Sequence, residues 1–165
     1  MQNPYQLTNK CIFITGAASG IGRATALLCA GLGAKVIITD LNETTLLKTY
    51  ELLEGEGHKY ALADLTKEED LIGLIDELPI LDGFVSNAGI IKTILTQLGE
   101  KSDVEKILSI NTIAPIHLTQ LLLQNKKIKK DASIVYTSSM AGVFNGAIGN
   151  GLYGASKAAI NGFVK

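Results

Sequence analysis

Five short apolar runs punctuate the chain, at 11–15, 35–39, 58–61, 83–86 and 133–137. Runs of four or five such residues, bounded by Gly, Asp, Asn or Ser, predict buried β-strands rather than helices. The longer stretches between them carry helical spacing, clearest at 24–32, which is rich in Ala and Leu, and at 111–124. Strand and helix therefore alternate. That alternation implies a parallel sheet, because parallel neighbours need a crossover long enough to hold a helix. Right-handed crossovers then give a doubly wound α/β sheet of order 3-2-1-4-5. No internal repeat or Pro/Gly-rich linker divides the sequence, so one domain is expected.

Ligands bind such sheets at the carboxyl ends of the strands. Gly16, Asp40, Asp64, Asn87 and Ser139 each follow a predicted strand, so the topology gathers five residues distant in sequence at one sheet edge.

The first of these edges is the segment TGAASGIG, residues 15–22, between a predicted strand and a predicted helix. Gly16, Gly20 and Gly22 remove side chains where the backbone turns tightly and approaches a pyrophosphate, whose charge a helix N-terminus favours. With Ser19 and Ile21 they form the candidate phosphate cradle. At the end of the next run stands Asp40, at the distance where a βαβ unit carries an acid that accepts hydrogen bonds from ribose hydroxyls. Its charge also repels a 2′-phosphate. No Lys or Arg precedes Gly22 within the turn, and Arg23 is the only nearby cation, so NAD(H) is expected in preference to NADP(H). A plain helix cap is the competing role for Asp40, but Asn42 serves equally well there.

Tyr153 and Lys157 stand four residues apart in YGASK and so share one helical face. A free phenol, with a pKa near ~10, is a poor base at neutral pH unless positive charge stabilises the phenolate. Moving it towards ~7 takes about 4 kcal/mol, within reach of a desolvated ammonium and a nicotinamide cation acting together. A serine hydroxyl from the preceding pair, Ser138 and Ser139, can bind a substrate oxygen that gains or loses charge.

These motifs, in this order along 10–165, resemble the short-chain dehydrogenase/reductase family in its standard-length, single-domain branch: TGAASGIG, Asp40, Asp64-Leu65, SNAG at 86–89, Asn111, TSS at 137–139 and YGASK. The resemblance implies a Rossmann-like fold and reversible hydride transfer between NAD(H) and a small alcohol or ketone. It makes Asn111, Ser139, Tyr153 and Lys157 the catalytic residues, with Asn111 holding a water that links Lys157 to solvent. Asp64, with Leu65 beside it, would bond the adenine. Asn87, Ala88 and Gly89 would pack beneath the adenosine, and Lys157 would hold the nicotinamide ribose with Tyr153 beside it. It further implies a homodimer or homotetramer at full length. The family runs to around 250 residues, so the chain is expected to stop within the tyrosine-bearing helix, short of the last strands and substrate lid. SNAG stands where NNAG is commoner, a change expected to affect packing. A non-catalytic dinucleotide-binding or regulatory module, or an inactive fragment of the enzyme, is the competing reading.

Composition narrows the rest. With 165 residues, 47% hydrophobic and 19% charged, the chain is an ordinary globular domain able to bury a core. A net charge of −1 argues against general nucleic-acid affinity, and the KKIKK cluster at 126–130 is expected to be solvated near a helix C-terminus. Cys11 and Cys29 show neither a disulfide framework nor ligand spacing, which predicts a reducing cytoplasm. The start MQNPYQLTNK is polar and lacks an apolar stretch, so no signal peptide is expected there, and no run approaches membrane-spanning length. His58 and His117 lack partners at metal-ligand spacing, so no metal is expected. Phe144, in the Gly/Asn-rich loop, is expected to anchor that loop against the surface.

Overall fold

The computed structural model describes residues 4–144 and 146–165. Five parallel strands, β1 (Cys11–Thr15), β2 (Lys35–Asp40), β3 (Lys59–Leu62), β4 (Leu81–Ser86) and β5 (Ile128–Tyr136), form one sheet in the expected order, β3-β2-β1-β4-β5. Helices α1 (Gly20–Gly31) and α2 (Glu43–Glu51) cover one face, and α3 (Glu68–Glu77) and α5 (Ala114–Gln124) cover the other.

Period-2 alternation explains why the strands are apolar throughout. In β1, Ile12 and Ile14 pack with Ala26, Ala30 and Leu46 on one face, while Phe13 packs with Leu71, Leu74 and Leu118 on the other. Phe13 stacks on Phe84 of β4 with centroids 5.4 Å apart, and both rings are fully buried. Each such side chain contributes about 1.5–3 kcal/mol of burial, which makes this pair the centre of the sheet.

The elements depart from expectation where backbone details outweigh hydrophobic pattern. Helix α1 begins four residues before the predicted start, because Gly20, at φ +54, opens the helix directly from the turn. His58 lies outside β3. Its Nδ1 accepts from the Val36 amide at 3.1 Å, so a side chain takes the place of a sheet partner.

The expected helix at 111–124 is interrupted. α4 (Lys101–Leu108) runs into a π-helical turn, Ser109–Ile113, before α5 continues. Pro115 lacks the N–H that would bond the Asn111 carbonyl, so the turn widens, with the Ala114 amide donating to Ser109 O, five residues back.

β5 starts five residues earlier than predicted, and a register irregularity beside Leu81/Gly83 absorbs the extra lysine-rich segment. The 126–130 lysines are therefore not all solvated near the end of α5: Lys127 donates to Leu78 O beyond α3 at 2.6 Å, and Lys129 pairs with Asp82 at 2.8 Å. Phe144 is 83% exposed and so does not anchor its loop. The last helix, α6 (Gly151–Phe163), carries Tyr153 and Lys157.

Candidate active site

A cleft of about 560 Å³ opens along the carboxyl ends of the strands. At its β1 end the glycine turn packs without room for side chains. A Cβ on Gly16 would stand 2.7 Å from Ala88 Cα, and one on Gly22 would stand 2.1 Å from Gly16 O. Gly16 also holds φ +67, which L side chains rarely adopt. Ser19 caps α1 in an extended conformation with no side-chain bond, and no acid occupies the first turn, so that helix end presents amides without a competing anion.

Asp40 ends β2 with both carboxylate oxygens set by backbone amides. Oδ2 accepts from Ala18 at 3.0 Å, and Oδ1 from Leu41 at 2.8 Å and Asn42 at 3.2 Å. Asn42 itself caps α2 by accepting from the Thr45 amide. Arg23 turns away from the cleft, with its guanidinium bonded to Ala18 O and Thr49 Oγ1. Asp64 follows β3 and accepts from the hydroxyl and amide of Thr66, which hold its carboxyl below the usual value.

The other end of the cleft is built on α6. Lys157 is 5% exposed, and burial pulls its ammonium below its ordinary value of 10.5. Its Nζ donates to Thr137 O at 2.7 Å. An ammonium has three donors, so two remain for groups entering the cleft. Tyr153, one turn earlier, lines the same wall. Among the described residues lining the cleft, Lys157 is the only lysine or arginine, whereas two carboxylates, Asp40 and Asp64, stand at the far end.

The structure brings together Gly16, Ser19, Gly20, Ile21, Asp40, Asp64, Leu65, Asn87, Ala88, Gly89, Tyr153 and Lys157 around this one cleft. Three expected site residues lie outside its lining. Gly22 acts through close packing. Asn111 is 1% exposed, and its side-chain groups are already engaged: Oδ1 accepts from the Ile90 amide, while Nδ2 donates to Ile90 O and Ser156 Oγ. It braces the chain behind Gly89, so the expected water link would have to use its main chain. Ser139 caps the turn Met140–Gly142, its Oγ accepting from the Ala141 amide at 3.2 Å. Ser138 is the less available of the pair, since its hydroxyl donates to Asn161 at 2.6 Å.

Asn87 contributes less as a ligand than as a clasp. Its Nδ2 donates to Thr15 O and Gly16 O, and its Oδ1 accepts from Thr137 Oγ1. Thr66, Ile90, Ile91, Ile110 and Thr137 also line the cleft. Ile90 and Ile91 were legible as the apolar continuation of SNAG, and Ile110 as the neighbour of Asn111. Thr137 opens the TSS motif at 137–139 but was not among the expected site residues, because its link to Lys157 runs through a main-chain carbonyl.

The family model for short chain dehydrogenases matches residues 10–165. The chain belongs to the short chain dehydrogenase family. Among similar proteins, the 3-oxoacyl-acyl-carrier-protein reductase FabG of Thermotoga maritima is 34% identical over 167 residues, a match covering 97% of this chain and 67% of that protein. Tropinone reductase-like 1 of Erythroxylum coca is likewise 34% identical, over 97% of this chain and 61% of its own length. A short chain dehydrogenase of Escherichia coli CFT073, solved in complex with NADPH, superposes with a TM-score of 0.87 at 31% identity, covering 96% of this chain and 70% of that one. This short chain dehydrogenase chain thus spans between 61% and 67% of the length of these two curated relatives.

Proposed function

We propose that this protein is an NAD(H)-dependent oxidoreductase that interconverts a secondary alcohol and a ketone, with residues 1–165 forming its dinucleotide-binding domain. One observation carries the reading: Tyr153 and the buried Lys157 line the same cleft as the glycine turn, Asp40 and Asp64. A dinucleotide fits the side-chain-free cradle at Gly16 and the start of α1, where the N-cap Ser19 makes no side-chain bond to the helix amides. When bound, its nicotinamide supplies the hydride chemistry.

The chain's own residues then bind, orient and move a proton. Asp40 would accept from the adenosine ribose, and Asp64 would bond the adenine. The two unengaged donors of Lys157 suit a vicinal ribose diol, and its charge stabilises the Tyr153 phenolate. In oxidation Tyr153 Oη takes the hydroxyl proton of the alcohol; in reduction it returns one to the ketone oxygen. Ser139 would donate its hydroxyl to the substrate oxygen, since accepting from the Ala141 amide occupies only a lone pair of Oγ and leaves the O–H as a donor. The preference for NAD(H) is supported by the two carboxylates at the adenosine end and by Arg23 being turned elsewhere. The 3-oxoacyl reductases and tropinone reductase-like proteins among its relatives support ketone reduction as the reaction class.

Exposed Ile113 and Leu123 beside α5 support pairing of copies into a dimer or tetramer, which light scattering at micromolar concentration checks against a monomer. Cys11 and Cys29 are both free, in keeping with a reducing cytoplasm. Among the described residues, no helix is long and apolar enough to cross a membrane.

The deciding experiment is Tyr153→Phe in a protein of the relatives' full length that contains this chain. Turnover of a ketone panel should fall by about a hundredfold or more while NADH affinity stays near wild type, since only the proton-transfer group is removed. Retained turnover refutes the mechanism. Dinucleotide binding without turnover of any substrate favours a non-catalytic binding module.

A further inference from the structure

All three polar groups of Thr137 are engaged, and each reaches a different part of the site. Its amide donates to Ser86 O at 3.0 Å, continuing the β4–β5 ladder by one residue beyond β5. Its hydroxyl donates to Asn87 Oδ1 at 3.1 Å, and its carbonyl accepts from Lys157 Nζ at 2.7 Å. Asn87 in turn donates to Thr15 O at 3.3 Å and Gly16 O at 3.1 Å, while its own amide donates to Thr15 Oγ1 at 3.1 Å. A continuous series of hydrogen bonds therefore runs from the glycine turn, through Asn87 and Thr137, to the ammonium of Lys157.

We propose that Thr137 is a positioning residue: its hydroxyl, locked on Asn87, fixes the peptide whose carbonyl holds Lys157 and so sets where that ammonium meets the dinucleotide. The inference deepens the proposed function and rests on it for its catalytic meaning. No other hydrogen bond to Lys157 Nζ exists among the described residues, so the aim of that one carbonyl decides its place. Thr137 sits just beyond β5, where the chain leaves the sheet for the Ser139 turn, and the ladder bond alone leaves the carbonyl free to swing. The Asn87 clasp removes that freedom. Asn87 cannot release Thr137 without leaving its own oxygen without that partner at a partly buried edge of the sheet, which opposes opening of the clasp.

The test needs no substrate. Lysine acylation followed by mass spectrometry reads the exposure of each ammonium in the chain as it stands, with Lys101, at 89% side-chain exposure, as the internal reference. Thr137→Val keeps the shape and the carbonyl but removes the hydroxyl. Labelling of Lys157 should rise about tenfold relative to Lys101, as expected when a held group becomes mobile, and Thr137→Ser should restore protection. Hydrogen exchange of the β1 amides separates this local effect from general loosening. NADH affinity should fall about threefold or more in the Val variant and recover in the Ser variant. If Thr137→Val does not fold, Thr137→Ala removes the same hydroxyl with less crowding. Unchanged Lys157 labelling in a folded variant lacking the hydroxyl overturns the proposal. Because labelling is read without turnover, that result is independent of Tyr153→Phe, which tests the catalytic reading alone.

Discussion

Gly142 and Gly154 meet where neither has room for a methyl group. A Cβ on Gly142 would stand 3.1 Å from Gly154 O and 2.6 Å from Ala158 N, and one on Gly154 would stand 2.7 Å from Ala141 O. The turn that follows Ser139 is thereby pressed, backbone to backbone, onto α6 one residue from Tyr153. Two glycines thus set the separation between the serine turn and the tyrosine helix.

Gly154→Ala should therefore destabilise the protein and move that turn. Overpacking costs about 1–3 kcal/mol, and better helix propensity offsets about 1 kcal/mol of it. Gly73 in α3 provides the contrast, because nothing lies within 4 Å of its would-be Cβ. There the propensity gain stands alone, and Gly73→Ala should stabilise by up to about 1 kcal/mol. Paired thermal melts check both signs. A stable Gly154→Ala variant would show that the contact yields easily.

Asp40 carries the second prediction. Asp40→Ala should narrow the preference for NADH over NADPH, because it removes both the ribose acceptor and the charge that repels a 2′-phosphate. It also frees the amides of Ala18, Leu41 and Asn42, so NADH affinity should fall in absolute terms. Asp40→Asn keeps one acceptor oxygen and loses the charge, together with the backbone amide bonds that the second oxygen accepts: NADPH affinity should rise relative to NADH affinity. Titration of both nucleotides at equal ionic strength reads this directly. Tighter NADPH binding by the unaltered chain contradicts the preference itself.

The sheet order was legible because both faces of every central strand are covered, which makes the strands apolar runs that no helix pattern imitates. The cleft was legible where function requires a particular side chain, as at Gly16, Asp40, Tyr153 and Lys157. It was not legible where the backbone does the work. The π-turn at Asn111 follows from a proline four residues on, a spacing visible in the sequence whose consequence needs the hydrogen-bond pattern to appear. Thr137 reaches Lys157 through a carbonyl that any residue has. The early start of β5 was hidden by lysines that solvate one edge while pairing with Asp82 and the chain end beyond α3. Ser139 was found by motif, but its hydroxyl is turned to a local cap that no spacing rule reveals.

Asn111 makes a third prediction, of a structural kind. Its side chain closes on the Ile90 amide and carbonyl at 2.8 Å each and on Ser156 Oγ at 3.0 Å, with 1% exposure. Asn111→Leu strands those buried groups, so a loss of about 2–4 kcal/mol is expected. Asn111→Asp should be no milder, because a carboxylate cannot donate to Ile90 O and its charge would be buried. Urea melts measure both. If Asn111→Leu unfolds at the wild-type midpoint, the brace contributes nothing.

Lys157 gives the last prediction through its buried charge. In the folded chain, burial holds its ammonium below 10.5, whereas in the unfolded chain it titrates near that ordinary value. Between the two values the unfolded chain binds more protons, so raising the pH through that interval favours the fold. Below the folded value the penalty for burying the charge is present in full. Lys157→Met keeps the length and apolar stem of the side chain but carries no titrating group. Wild-type stability should therefore rise relative to Lys157→Met as the pH climbs from 7 towards about 10.5, whatever the difference at neutral pH. Groups that titrate alike in both proteins cancel in that difference, so urea melts of the pair at several pH values isolate Lys157. A difference that stays flat, or moves in favour of the Met variant as the pH rises, would mean that the ammonium is solvated in the folded chain rather than buried against Thr137.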